Sequence, residues 1–177
     1  GRYQNLNLPT EYHCKFCSVG KEFVGIDKEC SVCQNGMYQN ENDAANAKCK
    51  SCTIGRSFYT LSTPCKQCGK GMYQSQNNAA SVTCQNCKKG FYAENVEASV
   101  CLPCSKGWYA GSVGAENCLN CAAGTAADDS ESAACTACAA GQYQGDTPAK
   151  VYGCKTCPGG TYSEVIAATN IDVCKGC

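Results

Sequence analysis

The residues of this chain that could do chemistry are its twenty cysteines, and all of them stand in CxxC pairs. Two cysteines at this spacing can supply half of a four-cysteine zinc site, form a dithiol redox couple, or contribute one sulfur each to two different disulfides. No cysteine stands outside the pattern. The ten pairs begin at Cys14, Cys30, Cys49, Cys65, Cys84, Cys101, Cys118, Cys135, Cys154 and Cys174.

The sequence around the pairs favours disulfides over metal or redox chemistry. Non-ligating glycine and aromatic residues recur between the pairs, His13 is the single histidine, and a redox CxxC is used once or twice rather than ten times. The acidic "DDSE" at 128–131 lacks the alternating ligands and glycine of a calcium loop, so a solvated turn is the better interpretation. We therefore predict no catalytic, cofactor-binding or metal-binding residues and no cofactor, and hence no enzyme.

Two disulfide connectivities remain open. In a ladder, the second cysteine of each pair bonds the first of the next; in a block scheme, each odd pair bonds the following even pair twice. The ladder is favoured because it treats every gap alike, as the uniform gap sequence requires, and it leaves Cys14 and Cys177 open-ended. Its members are Cys17, Cys30, Cys33, Cys49, Cys52, Cys65, Cys68, Cys84, Cys87, Cys101, Cys104, Cys118, Cys121, Cys135, Cys138, Cys154, Cys157 and Cys174.

A glycine follows the second cysteine of the first nine pairs at the third position, and an aromatic residue follows that glycine by two residues in six units and by three in two. A sharp turn after a cross-link requires a positive φ or a close backbone approach, which explains the glycines. The aromatic rings are expected to pack over a disulfide or a turn and to supply most of the apolar burial. The turn glycines are Gly20, Gly36, Gly55, Gly71, Gly90, Gly107, Gly124, Gly141 and Gly160, and the packing aromatics are Phe23, Tyr38, Phe58, Tyr73, Tyr92, Tyr109, Tyr143 and Tyr162.

The elements that position these residues form a repeat array rather than a globule. Leu, Ile, Val and Phe number only 23 of 177 residues, too few for an ordinary core, so cross-links must replace it. We predict a small disulfide-rich fold, mostly irregular with short β-strands, arranged as an elongated solenoid-like array. Residues 1–13 form a partial repeat cut in mid-unit, and residues 14–177 form about nine units of roughly 17 residues, in double units of about 35.

Composition also limits compartment and partners. Twenty cysteines suit an oxidising compartment, so we expect a secreted or cell-surface protein. The zero net charge, without long charged runs, argues against nucleic acid. No apolar stretch is long enough to span a bilayer directly. No Asn-x-Ser/Thr triplet occurs, which leaves O-glycans as the possible sugars.

The repeat resembles a known family. A cysteine, two residues, glycine, any residue, tyrosine, a loop and CxxC is similar to the ephrin-receptor-like cysteine-rich repeat, and more distantly to loops of tumour-necrosis-factor-receptor and EGF-like modules. "CKTCPGGTYS" at 154–163 and "CLPCSKGWYA" at 101–110 match best, whereas the unit at 121–135 lacks the aromatic. The alanine-rich "CAAGTAADDSESAACTACAAG" is similar in style to surface proteins of protists. The resemblance implies extracellular rods used in receptors, adhesion proteins and coats.

Two functions follow as hypotheses. The first is a structural extracellular scaffold, a rigid disulfide-stapled rod that forms or coats a fibril or surface layer through head-to-tail contacts with copies of itself. The alternative is the stalk or ligand-binding region of a cell-surface receptor or surface antigen. Trp108 and the tyrosines could form a binding stripe, but their fixed place near the glycine favours packing within the chain. No unit departs from the pattern in a way that predicts a binding site.

Overall fold

The protein is a chain of small cross-linked hairpins. A computed structural model describes residues 2–4, 14–146 and 153–177, so most of the partial repeat expected at 1–13 lies outside the described residues. The chain forms two compact units. The first comprises Gly1–Gly69, Tyr73–Gln85 and Val96–Ser99, and the second comprises Lys70–Met72, Asn86–Asn95 and Val100–Cys177.

Every strand is two residues long, which confirms the prediction of short strands and few helices. One 3₁₀-helix, Ile171–Val173, occurs in the described part of the chain, and the Asn170 side chain accepts from the Asp172 N–H at its start. The strands are β1 (Lys21–Glu22), β2 (Ser31–Val32), β3 (Arg56–Ser57), β4 (Lys66–Gln67), β5 (Met72–Tyr73), β6 (Gln85–Asn86), β7 (Phe91–Tyr92), β8 (Leu102–Pro103), β9 (Trp108–Tyr109), β10 (Leu119–Asn120), β11 (Thr125–Ala126), β12 (Thr136–Ala137), β13 (Gln142–Tyr143), β14 (Lys155–Thr156), β15 (Thr161–Tyr162) and β16 (Lys175–Gly176).

In most of these hairpins the register places the aromatic residue opposite the inside of the next CxxC, whereas Phe23 and Phe58 stand one residue beyond β1 and β3. In β9 and β10, for example, Tyr109 lies across from Leu119, the residue between Cys118 and Asn120. The even-numbered strands therefore consist of the two residues within each cysteine pair. All eight of these strands are exposed, so the inside of every CxxC with strand geometry is a solvent-facing surface.

The disulfides form the predicted ladder, and the block scheme is wrong. The paired cysteines are 13 to 17 residues apart in sequence, and Cys14 and Cys177 are exposed and unbonded. Each closure constrains the unfolded chain by about 3 kcal/mol in the loop-entropy model. The bonds are Cys17–Cys30, Cys33–Cys49, Cys52–Cys65, Cys68–Cys84, Cys87–Cys101, Cys104–Cys118, Cys121–Cys135, Cys138–Cys154 and Cys157–Cys174.

The core is made of sulfur and small side chains rather than aromatic rings. Among the described residues, the largest fully buried side chains are seven cysteines and two glutamines. Tyr38 and Phe58 do pack against a buried cluster of Cys52, Cys65 and Val82. The other predicted aromatics are partly buried, except Tyr162, which is 49% exposed.

No helix in the described ranges has the length and apolar character needed to cross a bilayer.

Candidate functional site

The contact between repeats begins at the turn glycine. Gly90 has a φ of +83°, and a Cβ built there would lie 2.7 Å from the carbonyl carbon of Glu131, two repeats further along the chain. Its N–H donates to the Ala110 carbonyl in the next repeat at 2.9 Å, while its carbonyl accepts from Cys104 N–H in its own hairpin at 2.9 Å. All nine predicted turn glycines have positive φ, between 73° and 88°. One residue therefore closes its own hairpin and holds the following repeats.

The loop that approaches this glycine is itself bent into the left-handed region. Glu131 has a φ of 65° and its N–H donates to the Cys104 carbonyl at 2.8 Å, while the next residue, Ser132, accepts from Ala110 N–H at 3.0 Å. Each such loop thus contacts both of the two repeats that precede its own. The same approach occurs between Gly36 and Ser81, Gly55 and Glu97, Gly71 and Gly114, and Gly124 and Ala167.

Sequence reasoning missed these loop residues. Glutamate and alanine rarely adopt positive φ, and nothing in their type reports it. A spacing signal was present, since Glu97, Gly114 and Glu131 each stand four residues before the first cysteine of a pair. The close approach is a backbone-to-backbone contact, which is why it recurs although the side chains differ.

The third residue after the turn glycine was also missed as a central position; in most repeats it follows the aromatic, and in repeats 17–33 and 52–68 it is the aromatic itself, Phe23 or Phe58. This position is buried in most repeats, whether its side chain is polar or not. Its backbone carbonyl accepts from the N–H of the turn glycine in the preceding repeat, as Gln144 does from Gly124 at 2.8 Å. Its backbone N–H donates to a carbonyl of the following repeat, as Gln144 does to Ala168 at 2.9 Å. The buried members are Gln39, Gln74, Ala93, Ala110, Ala127, Gln144 and Ser163.

The identity of this buried residue follows the length of the loop. Alanine occurs where the disulfide closes over 14 residues, and glutamine where it closes over 16. The Gln144 side-chain oxygen accepts from Asp146 N–H at 2.6 Å, and Gln39 Nε2 donates to the Glu41 carbonyl at 2.6 Å. In these two repeats the glutamine amide pairs with a backbone group of the longer loop, whereas neither polar side-chain atom of the buried Gln74 has a hydrogen-bond partner.

The unit at 121–135, which lacks the aromatic, keeps the same construction. Ala126 takes the aromatic position in β11 and lies opposite Thr136 in β12. Ala126 and Ala127 are both buried, and Gly124 retains its bond to the following repeat. A small side chain suffices because the contact depends on backbone groups.

The outer face of the hairpins differs between two parts of the chain. Tyr143 faces Lys155, and that lysine forms an ion pair with Asp146 at 3.5 Å. In the first unit Lys50 pairs with Glu41, and this hydrogen bond raises the pKa of Lys50. Exposed pairs of this kind contribute little to stability. They give the outer face of these hairpins a charged, solvated character.

Repeats 87–104 and 104–121 carry leucine at the position that Lys50 and Lys155 occupy in their own repeats, opposite the tyrosine. Leu102 lies opposite Tyr92 and is 51% exposed, and Leu119 lies opposite Tyr109 and is 59% exposed. Trp108, expected to pack within the chain, is also 38% exposed. The expectation that no unit departs from the pattern is therefore wrong. The signal was in the sequence, because leucine follows the first cysteine only in these two pairs.

A cavity of about 360 Å³ lies beside Trp108, within the second unit. Tyr92 of β7 and Trp108 of β9 supply aromatic walls, and Cys118, bonded to Cys104, fixes the loop that carries Asn117. Glu94, Ser105 and Asn117 supply a carboxylate, a hydroxyl and an amide. Aromatic surface with a few convergent polar groups is typical of a small-molecule site.

The other candidate residues show no comparable site. Residues 128–131 are exposed, and in the described ranges no three or more His, Cys, Asp or Glu residues are grouped to hold a metal ion. His13 lies outside the described residues. The cysteine pairs are not zinc ligands, because eighteen of the twenty cysteines are consumed in the nine disulfides.

Comparison with known proteins confirms the resemblance. The family model described as tyrosine-protein kinase ephrin type A/B receptor-like matches the chain twice, at residues 90–134 and 124–174. Both matches lie on the repeats described above, including the unit without an aromatic. No curated protein sequence matches the chain.

Proposed function

We propose that this chain, whose residues 90–174 are ephrin-receptor-like cysteine-rich repeats, is a structural extracellular scaffold that forms or coats a fibril or surface layer by binding copies of itself. The nine disulfides and the receptor-like repeats indicate an extracellular or cell-surface location. They also suggest a non-enzymatic role. O-glycans on exposed serine and threonine side chains remain part of this proposal.

The observation that carries the proposal is that repeats hold one another through backbone groups. Gly90 and its counterparts bond forward to a carbonyl and are approached by a loop backbone, whatever side chains that loop carries. The same backbone groups are present in every copy of the chain, so repeats of different copies can join in this geometry without matched side chains.

Concentration-dependent assembly tests this proposal. The purified chain is expected to grow in mass with concentration by light scattering, and to give particles with a periodic repeat by electron microscopy. Monomers at the highest attainable concentration would contradict self-association.

One observation favours a second function, that of a ligand-binding ectodomain. The apolar outer face of residues 87–121 and the cavity beside Trp108 depart from the polar pattern of the other repeats. An exposed aromatic with neighbouring leucines is a common feature of recognition surfaces. If the chain stays monomeric, this function replaces the first.

A further inference from the structure

We infer that the cavity beside Trp108 binds a hexopyranose, as a free sugar or as the end of a glycan. This inference concerns a site within the second unit and does not depend on self-association. The cavity, at about 360 Å³, lies at the small end of the range of ligand pockets, about 300–1,000 Å³, which suits one or two rings rather than a peptide.

The chemistry of the walls matches the chemistry of a sugar. A pyranose presents C–H groups on its faces and hydroxyls around its rim. The rings of Tyr92 and Trp108 provide apolar surface with a partly negative face that attracts C–H groups. Glu94 accepts hydrogen bonds, while Ser105 and Asn117 both donate and accept. The cavity thus offers partners for both parts of the ligand.

A quaternary ammonium ligand is the main competing class. Aromatic rings beside a carboxylate attract such cations, and Tyr92, Trp108 and Glu94 supply those groups. Ser105 and Asn117 would have no role with that ligand, because a quaternary ammonium neither donates nor accepts hydrogen bonds. An apolar side chain of a protein partner would likewise make no use of these three polar groups. Of these three classes of ligand, the sugar is the one with partners for both the rings and the polar groups.

The frame of the cavity is already fixed before any ligand arrives. Trp108 is held in β9 opposite Asn120, and its backbone N–H donates to the Ser105 carbonyl at 3.0 Å. Asn117 precedes Cys118, whose disulfide to Cys104 anchors the opposite side. A prearranged site loses little conformational entropy on binding. The exposed part of Trp108 is the surface that a ring would cover.

The single tryptophan makes the test direct. The 177-residue chain would be titrated with methyl glycosides of glucose, galactose, mannose and N-acetylglucosamine while the emission of Trp108 is recorded. We expect a saturable change with at least one glycoside and none with glycerol or choline at the same concentrations. No response to any glycoside, or a response to choline that Glu94→Gln abolishes, would overturn the inference.

Two variants separate the cavity from the tryptophan itself. Trp108→Gln places at this strand position the residue found at the same position in repeat 138–157, Gln142. Ligand-detected NMR should show at least tenfold weaker binding for Trp108→Gln, with all nine disulfides retained by mass under non-reducing conditions. In Trp108→Gln combined with Gln142→Trp, the emission of the new tryptophan should not respond to sugar. Unchanged binding in the first variant, or a response in the second, would contradict a site at Trp108.

Discussion

Repeats 104–121 and 138–157 lie in the same unit and share the ladder disulfide, the turn glycine and the two-residue hairpin. They differ, among other positions, at one buried and one exposed residue. The first has buried Ala110 and exposed Leu119, and the second has buried Gln144 and the lysine that pairs with Asp146. The comparison separates what the array requires from what each repeat can vary.

The buried difference follows from loop length. A disulfide that closes over 14 residues leaves room for a methyl group, whereas two additional residues bring backbone groups that an amide can pair with. The exposed difference has no such constraint, because the aromatic and its opposite residue form the solvent side of the hairpin. Stacking therefore fixes the inside, while the outer face is free to acquire a binding function.

Removing the shared glycine should have the largest effect. Gly90→Ala would place a Cβ against the Glu131 backbone at a φ of +83°, and we expect a loss of about 4 kcal/mol in the free energy of unfolding with disulfides intact. Gly160→Ala, at a φ of +80° with open space, should lose about 1–2 kcal/mol. Calorimetry under non-reducing conditions measures both. Equal losses would show that the close approach contributes nothing.

Exchanging the buried residues should have an intermediate effect. Ala110→Gln introduces a longer side chain and an unpaired amide into a buried site, which we expect to cost about 3 kcal/mol. The reciprocal Gln144→Ala loses the bond to Asp146 N–H and should cost about 1–2 kcal/mol. The same calorimetric measurement applies. Full stability of Ala110→Gln would refute the link between loop length and buried side chain.

The smallest effect should come from the ion pair on the charged outer face. The hydrogen bond to Glu41 raises the pKa of Lys50 above its usual value of 10.5, so the small stabilisation is complete below pH 10.5 and is lost as pH rises through the raised value. Following the Lys50 Cε chemical shift from pH 9 to 12 gives the pKa directly. In Glu41→Gln the pKa should return toward 10.5, and an unchanged pKa would remove Glu41 as the cause.

Much of the fold was predictable because the same residue types recur at the same positions from repeat to repeat. The ladder followed from the uniform gaps, and the positive φ of glycines such as Gly90 followed from their fixed place after a cross-link. The partner of that glycine, Glu131, was not predictable in the same way, since the contact joins residues 41 positions apart and depends on backbone shape. Gln144 was missed because a buried amide has no hydrophobic signature.

Part of the candidate site could have been predicted from the sequence and was overlooked. Leu102 and Leu119 break the polar pattern of the residues that follow the first cysteine of each pair, which a comparison of the repeats position by position would have shown. What the sequence could not supply is the cavity itself. It forms where Tyr92 of one repeat and Trp108 of the next face the same space, and that placement results from the stacking.

The sequential order of the cross-links has a mechanical consequence. When the chain is pulled from its ends, force passes through the three peptide links inside each CxxC and then across a sulfur bridge whose Cα atoms are about 5.6 Å apart, so the loops between carry no load. At about 3.4 Å per residue, a repeat can lengthen to only about 16 Å, against nearly 60 Å for 17 unbridged residues. Such a chain resists stretching even after its hydrogen bonds have broken.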